Sequence, residues 1–311
     1  MASTVRTDEV RLPDGRAAEL WLGGDPAGTP VIFFHGTPDS RLAARSGDAA
    51  ALGVGVRLVA ANRPGYGRSD PTDSDHLSVA DDTVAIADAL GVGTFGVLGM
   101  SVGGQYALAC AARHPDRVTA ACAVATPAEV PALVPPLPRD GLDEEGQAFF
   151  ARLAVGSVED NVAAIGPDFE VYVAAMAPED PDDDALAARL VARLPELDRR
   201  LVAGLPAHET AAAVREALAR PDGYLRDAAI AFRDWDFSPA DVRCPTWLWY
   251  GAHDPQAAVR NGVWLSERIP DATLVIRDDT AHLGTLLQHW PAILATLAQP
   301  WSGTSRGLAP V

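Results

Sequence analysis

Gly99-Met100-Ser101-Val102-Gly103-Gly104 is the stretch that organises this 311-residue chain. It follows the apolar run Phe95–Leu98 and opens the alanine-rich stretch Val102–Arg113. Gly-x-Ser-x-Gly therefore sits on a strand-to-helix turn, the context that gives the pattern chemical meaning. So sharp a turn forces Ser101 into strained backbone geometry and leaves no room for Cβ atoms at Gly99 and Gly103. The hydroxyl then stands at the C-terminal edge of a sheet. The N–H of Val102 points to where an oxyanion would form, at a helix start whose dipole favours negative charge.

Outward from this turn, the chain alternates short apolar runs with helical stretches. Val31–Phe34, Arg57–Ala61, Val118–Ala125, Thr246–Tyr250 and Thr273–Ile276 read as strands covered on both faces. Ser40–Leu52, Val79–Leu90, Val102–Arg113, Pro255–Arg268 and Leu283–Leu297 read as helices between and after them. Such alternation predicts parallel strands with crossover helices on both faces. Val5–Leu12 and Ala17–Leu22, joined by the turn sequence Pro13-Asp14-Gly15, predict a leading hairpin at the sheet edge. The expected fold is α/β, a mostly parallel eight-stranded sheet. Between Thr126 and Val242 no strand is legible. Prolines 127, 131, 135, 136 and 138 lead into short amphipathic helices such as Asp184–Leu194 and Glu209–Ala219. The expected organisation is a core of residues 1–126 and 242–298, a helical insertion over 127–241, and a flexible tail over 299–311.

A serine hydroxyl needs a base to become a nucleophile. Of seven histidines, His282 follows the last strand and precedes the last helix, on the same sheet edge as Ser101. His76, His114, His208 and His289 read as surface or packing residues. The base needs an orienting carboxylate. Asp254, in Tyr250-Gly251-Ala252-His253-Asp254-Pro255, projects from the same edge after the preceding strand. Two other readings stand beside it: Asp254 as a helix N-cap before Pro255, or Glu129 as the acid. His35-Gly36-Thr37-Pro38 follows the first apolar strand. There the Thr37 N–H would complete an oxyanion hole with Val102, with Gly36 allowing close approach and His35 structural. Asn62-Arg63-Pro64-Gly65-Tyr66-Gly67-Arg68-Ser69 reads as a tight surface turn bracing the sheet edge, with Arg63 in an ion pair.

Composition narrows the chemistry. A net charge of −17 from 25 basic and 42 acidic residues lacks the footprint of a nucleic-acid binder and is unsuited to an anionic membrane surface. The chain has no lysine, which excludes Schiff-base and pyridoxal-phosphate chemistry and an ordinary P-loop. Three scattered cysteines (Cys110, Cys122, Cys244) show no disulfide framework or paired zinc spacing. No metal or cofactor is expected. The acidic run Asp180-Pro181-Asp182-Asp183-Asp184 reads as a solvated helix start rather than a calcium loop. The polar first residues show no signal peptide, and no apolar run is long enough to span a membrane. A cytoplasmic protein, monomer or homodimer, acting on a small molecule is expected, and abundant alanine and arginine fit a GC-rich bacterial coding bias.

Together the four motifs resemble the α/β-hydrolase superfamily: the His35-Gly36 loop, the Arg63-Pro64-Gly65-Tyr66-Gly67 loop, the Gly99-x-Ser101-x-Gly103 elbow, and Asp254 with His282. The resemblance covers about Val5 to Thr126 and Val242 to Leu297, and is nearest the helical-capped esterase and peptidase branch. It implies a triad of Ser101, Asp254 and His282 in the chain order that fold uses, with the insertion as a lid. Ser101 stands where epoxide hydrolases and haloalkane dehalogenases carry Asp and dienelactone hydrolases Cys. Val102 stands where proline iminopeptidases usually carry Trp. The expected activity is serine-dependent cleavage of a mostly apolar carboxylic ester, thioester or lactone. Two alternatives remain at this level: a cofactor-independent lyase, cyclase, perhydrolase or oxygenase using the same triad, or a non-catalytic ligand-binding scaffold. Seven aromatic residues of the insertion (Phe149, Phe150, Phe169, Tyr172, Tyr224, Phe232, Trp235) are candidate pocket linings, with packing between lid helices as the competing role.

Overall fold

The computed structural model describes residues 6–128, 130–131, 143–177 and 182–298. Glu129, Pro135, Pro136, Pro138, Asp180, Pro181 and the tail 299–311 lie outside the described residues, so the expectations placed on them are left there.

The described residues build an eight-stranded sheet from β1 (Arg6–Arg11), β2 (Ala17–Gly24), β3 (Thr29–Phe34), β4 (Val56–Ala61), β5 (Phe95–Met100), β6 (Val118–Val124), β7 (Thr246–Gly251) and β8 (Ala272–Arg277), in the order β1-β2-β4-β3-β5-β6-β7-β8. β1 and β2 pair antiparallel, β2 pairs antiparallel with β4, and every other pairing is parallel. The hairpin turns at Gly15, whose φ of +90° suits a residue without Cβ. β5 is buried along its whole length, as a central strand between two helix layers must be. His76–Ala89 packs on Val102–Arg113, and Asp48–Gly53 on Trp290–Leu297, to cover the sheet. The core is a continuous apolar cluster running from Trp21 to Leu297.

Three helices differ from expectation. Pro255–Arg268 is shorter, running from Val259 to Ser266, because a turn capped by Asp254 occupies its expected start. Leu283–Leu297 is not one helix: it divides into Gly284–Leu287 and Trp290–Leu297. Pro291 has no N–H to continue a helix and its ring crowds the preceding turn, but its fixed φ suits a new first turn. Ser40–Leu52 likewise divides into a 3-10 turn, Arg41–Gly47, and a short α-helix, Asp48–Gly53. Gly47 lies where a Cβ would stand 2.7 Å from the Trp290 ring, so the kink seats that indole.

Between β6 and β7 the chain leaves the sheet. Six helices are described there: Glu144–Val155, Val158–Met176, Asp183–Arg193, Glu196–Val202, Ala207–Leu218 and Pro221–Ile230. They hold small apolar clusters of their own, one around Leu153, Ile165 and Ala229, another around Met176, Leu186 and Ala211. Asp182 caps the third of them, its side chain accepting from the Ala185 N–H at 2.8 Å, the helix-start role read for the acidic run. No helix among the described residues is long and apolar enough to cross a membrane.

Candidate active site

Four strand ends bring the sequence-predicted residues to one edge of the sheet. β5 ends at Met100 and the helix Val102–Arg113 begins two residues later, so Ser101 carries the whole reversal, with φ +55° and ψ −129°. That left-handed φ is strained for serine and is held by its surroundings. Its N–H donates to Val124 O at 2.8 Å, and its carbonyl accepts from the Gly104 N–H at 2.9 Å. A Cβ on Gly99 would run into the Gly103 backbone, and one on Gly103 into the carbonyls of Phe34 and His35. The Val102 N–H, in the first turn of that helix, belongs to the groups that have no intrahelical acceptor.

His282 follows β8, and its Nδ1–H donates to Asp254 Oδ2 at 2.7 Å. The pair is dry: the His282 side chain is 6% exposed and that of Asp254 0%. The other carboxylate oxygen of Asp254 accepts from the N–H groups of Gln256 (2.7 Å) and Ala257 (3.0 Å). Asp254 is therefore not a helix N-cap: the next helix begins only at Val259, with Ala258 at its N-cap, and the carboxylate caps the intervening turn with one oxygen while the other faces His282. The turn bonds hold the carboxylate that meets His282. Gly251 lets the two loops meet, since a Cβ there would stand 2.7 Å from Ala281 O. His253 is exposed and makes no part of this pair.

The loop after β3 faces the elbow, with a Cβ at Gly36 falling 3.5 Å from the Ser101 Cβ. His35 is fully buried. Its Nδ1–H donates to Gly36 O at 2.8 Å and its Nε2 accepts the Arg63 N–H at 3.3 Å, using both ring nitrogens on loop backbone. Burial, together with the Arg63 charge, holds its pKa well below the ordinary value, so it is a neutral brace.

Ser101, Thr37, Pro38, Gln256 and His282 line two cavities at once. The smaller, about 210 Å³, is walled by Phe149, Phe150, Leu153, Ile165, Tyr224 and Phe232. The larger, about 420 Å³, is walled mainly by aliphatic residues, among them Leu190, Leu194, Val202, Val214 and Leu286, with Tyr172 and Asp39. Phe169 and Trp235 pack instead: Phe169 lies against Tyr224 with ring centroids 4.9 Å apart, and Trp235 stacks on Phe237 at 5.0 Å.

Two expectations about burial need correction. The Asn62–Ser69 turn is not at the surface: Asn62, Arg63, Tyr66 and Ser69 are buried beneath the helical insert. Gly65 meets Gly223 of the insert there, Gly223 N–H donating to Gly65 O at 3.3 Å, and a Cβ on Gly65 would stand 2.6 Å from that nitrogen. His76, expected at the surface, is buried. Its Nδ1 pairs with Asp236 at 2.9 Å and its Nε2 with Gln105 Oε1 at 3.2 Å, between Tyr106 and Phe237. Trp235 and Phe237, from the far end of the insert, close over it. His289, by contrast, is half-buried against Trp249.

Sequence reasoning missed Asp227. This carboxylate, on the insert helix Pro221–Ile230, is buried and accepts from five side-chain groups. Arg63 donates to it through Nε (3.1 Å) and a terminal nitrogen, Thr37 Oγ1 at 2.7 Å, Tyr66 OH at 2.8 Å and Tyr106 OH at 2.6 Å. Burial alone would raise its pKa; the Arg63 charge and these donors bring it below the ordinary value, so it stays ionised. The one available signal was an acid in line, at helical spacing, with Gly223 and Ile230 on the buried face.

The profile of the alpha/beta hydrolase fold family matches residues 29–287. The chain is similar to a pimeloyl-(acyl-carrier protein) methyl ester esterase of Chromobacterium violaceum, 27% identical over 278 residues that span 88% of this chain and 94% of that one. Among solved structures it is similar in fold to an esterase from Exiguobacterium antarcticum (TM-score 0.64, 19% identity, 94% of this chain and 100% of that one). It is likewise similar to the enol-lactonase from Burkholderia xenovorans LB400 (TM-score 0.61, 16% identity, 93% and 97%).

Proposed function

The chain belongs to the α/β-hydrolase fold family, and on that premise we propose that it is a serine hydrolase of the carboxylic ester type, cleaving a small to medium, mostly apolar ester, thioester or lactone. The observation that carries this reading is the dry 2.7 Å pair of His282 and Asp254 together with the strained Ser101, Ser101 and His282 lining the same two largely apolar cavities while Asp254 stays buried behind His282.

In the proposed cycle, Ser101 Oγ attacks the carbonyl carbon while His282 Nε2 takes the hydroxyl proton. The pair with Asp254 holds the imidazole in the tautomer that leaves Nε2 free to accept, and stabilises the imidazolium that forms. The N–H groups of Val102 and Thr37 receive the oxyanion. The tetrahedral intermediate collapses, His282 returns the proton to the departing alkoxide or thiolate, and an acyl-enzyme remains. Water, deprotonated by His282, attacks that ester and releases the acid and Ser101. Two cavities meeting at Ser101 suit this division of the substrate, one side for the acyl group and one for the leaving group. The insert would act as a lid that keeps bulk water from the acyl-enzyme. The similarity to a methyl ester esterase supports oxygen esters first.

The test is turnover of a p-nitrophenyl ester series of increasing acyl length, with fluorophosphonate labelling, by wild type, Ser101→Ala and His282→Ala. The expected result is labelling and turnover by the wild type, no labelling of Ser101→Ala, and loss of about 10³-fold or more in kcat for both variants. A wild type that neither labels nor turns over any ester overturns the reading.

A further inference from the structure

We infer that two carboxylates of the helical insert, Asp198 and Asp227, are positioning residues for the proposed reaction: each holds one catalytic loop, so that seating the insert on the sheet completes the site. The inference rests on the serine-hydrolase reading above.

Asp198 lies on the insert helix Glu196–Val202 and is fully buried. Its two oxygens accept the backbone N–H groups of Leu283 (3.0 Å) and Gly284 (2.8 Å), the two residues that follow His282. These N–H groups open the next helix and have no partner within it. The insert supplies that partner from 85 residues away in the chain. Gly284 makes the approach feasible, since even the Cβ of alanine there would lie 3.1 Å from Leu201 and 3.3 Å from Asp198 Oδ1. The His282 backbone is therefore fixed from two sides. Asp254 grips the ring, and Asp198 grips the chain just beyond it.

Asp227 does the equivalent for the oxyanion loop. It accepts from Thr37 Oγ1 directly at 2.7 Å. It also anchors Arg63, whose terminal nitrogens donate to His35 O and to Gly36 O (2.9 Å). The carbonyls of residues 35 and 36 and the hydroxyl of residue 37 are thus tied to one point on the insert. Those three groups bracket the Thr37 N–H, whose direction decides whether an oxyanion is received. Shifts of about 1 Å in such groups cost on the order of 10²-fold in rate.

A third insert carboxylate provides the internal comparison. Glu216, on Ala207–Leu218, accepts from Arg41 (2.9 Å) and Asn62 (2.9 Å), docking the insert on the sheet without bonding either catalytic loop. If insert carboxylates serve only to dock, all three are equivalent. If Asp198 and Asp227 position loops, they differ from Glu216 in catalysis while resembling it in stability.

The experiment uses the full chain and compares Asp198→Asn, Asp227→Asn, Thr37→Val, Thr37→Ser and Glu216→Gln for kcat, KM and thermal midpoint on the best p-nitrophenyl ester, with fluorophosphonate labelling rates in parallel. Asp198→Asn turns an amide NH2 toward a backbone N–H. Thr37→Val keeps the backbone N–H but cuts the tether, and does not strand the Arg63 charge as Asp227→Asn does, so it answers the question if Asp227→Asn fails to fold. The expected result is a fall in kcat of about 10- to 100-fold for Asp198→Asn and Thr37→Val with KM within about twofold. Thr37→Ser should recover most of it, and Glu216→Gln should lower the midpoint while keeping kcat. Retention of kcat within about twofold by folded Asp198→Asn and Thr37→Val overturns the inference and leaves the hydrolase reading intact. An equal fall in all variants, Glu216→Gln and Thr37→Ser included, also overturns it, because general loosening of the insert would then be the cause. Absence of wild-type turnover and labelling is the separate failure of the hydrolase reading.

Discussion

The sheet and the helical insert face each other across the same cavities but depend on buried charge to different degrees. In the sheet, each candidate catalytic residue lies within a few positions of a strand end: Ser101 after β5, Thr37 after β3, Asp254 after β7, His282 after β8. Parallel pairing and one continuous apolar core set where those ends lie. The insert has small apolar clusters around its own helices and reaches the main core through a few residues such as Ile230 and Ala231. What joins it to the sheet includes buried charge, with Asp198, Glu216 and Asp227 meeting backbone N–H groups, Arg41 and Arg63. Apolar burial is non-directional and tolerates sliding; a buried carboxylate with matched donors has one acceptable seat. The difference teaches that hydrophobic periodicity makes the insert's helices and brings a few of their residues to the core, while polar exceptions to that periodicity fix the seat over the site.

The largest effect expected from breaking this contrast falls on the sheet side. Gly103→Ala would drive a Cβ into the carbonyls of Phe34 and His35, backbone of a central strand that cannot rotate away. The expected cost is about 4 kcal/mol or more, the range of severe core overpacking and strain. Gly53→Ala, in a helix with open space around it, should be neutral or slightly stabilising. Urea midpoints of the two variants check this, and a Gly103→Ala midpoint close to wild type would refute the account of the elbow. Next in size is the junction itself. Arg63→Met leaves the buried Asp227 without its counter-charge, with an expected loss of about 3–5 kcal/mol. The sign with pH distinguishes charge from packing. In the wild type the lowered Asp227 pKa contributes stability above the carboxylate range that is lost on acidification. Without Arg63, burial raises that pKa, so the variant's deficit should grow from pH 5 to pH 8. A deficit independent of pH would assign it to lost packing.

The same contrast explains what could be read in advance. The places of Ser101, Asp254, His282 and Thr37 just after strand ends were legible because each announces itself locally, by glycines and turn residues directly after an apolar run. The partner of Arg63 was not. Asp227 is one of 42 acidic residues, and no local pattern says that a carboxylate 164 positions away closes over that guanidinium. His76 fails for the same reason, since its cover of Trp235 and Phe237 arrives with the insert's return leg. The helix N-cap reading of Asp254 failed because Pro255 marks a turn there and the helix waits until Val259, which the Asp-Pro pair alone does not reveal. The break before Pro291 was legible in principle, and apolar periodicity on both sides obscured it.

The smallest expected effect concerns Asp39, at the rim where sheet and insert share the larger cavity. Burial pushes this carboxyl up to about 6, against the opposing pull of the Ser40 N–H and the Arg63 charge. Its ordinary value is 3.8. Between these limits the folded chain keeps a proton that the unfolded chain has released, so this group's contribution to stability falls as pH rises from about 4 to 6 and levels off above. Asp39→Asn removes that slope. At pH 8 the variant should be more stable than wild type by about 1–3 kcal/mol, at 1.36 kcal/mol per pKa unit and allowing for partial solvent access. At pH 4 the two should converge. Urea midpoints at both pH values check this, and parallel curves would show that Asp39 titrates normally. A gain confined to high pH would mean that the wild type retains a destabilising charge in the wall of the cavity that Ser101 also lines, the kind of cost found where a wall is shaped by what it must bind rather than by what makes it stable.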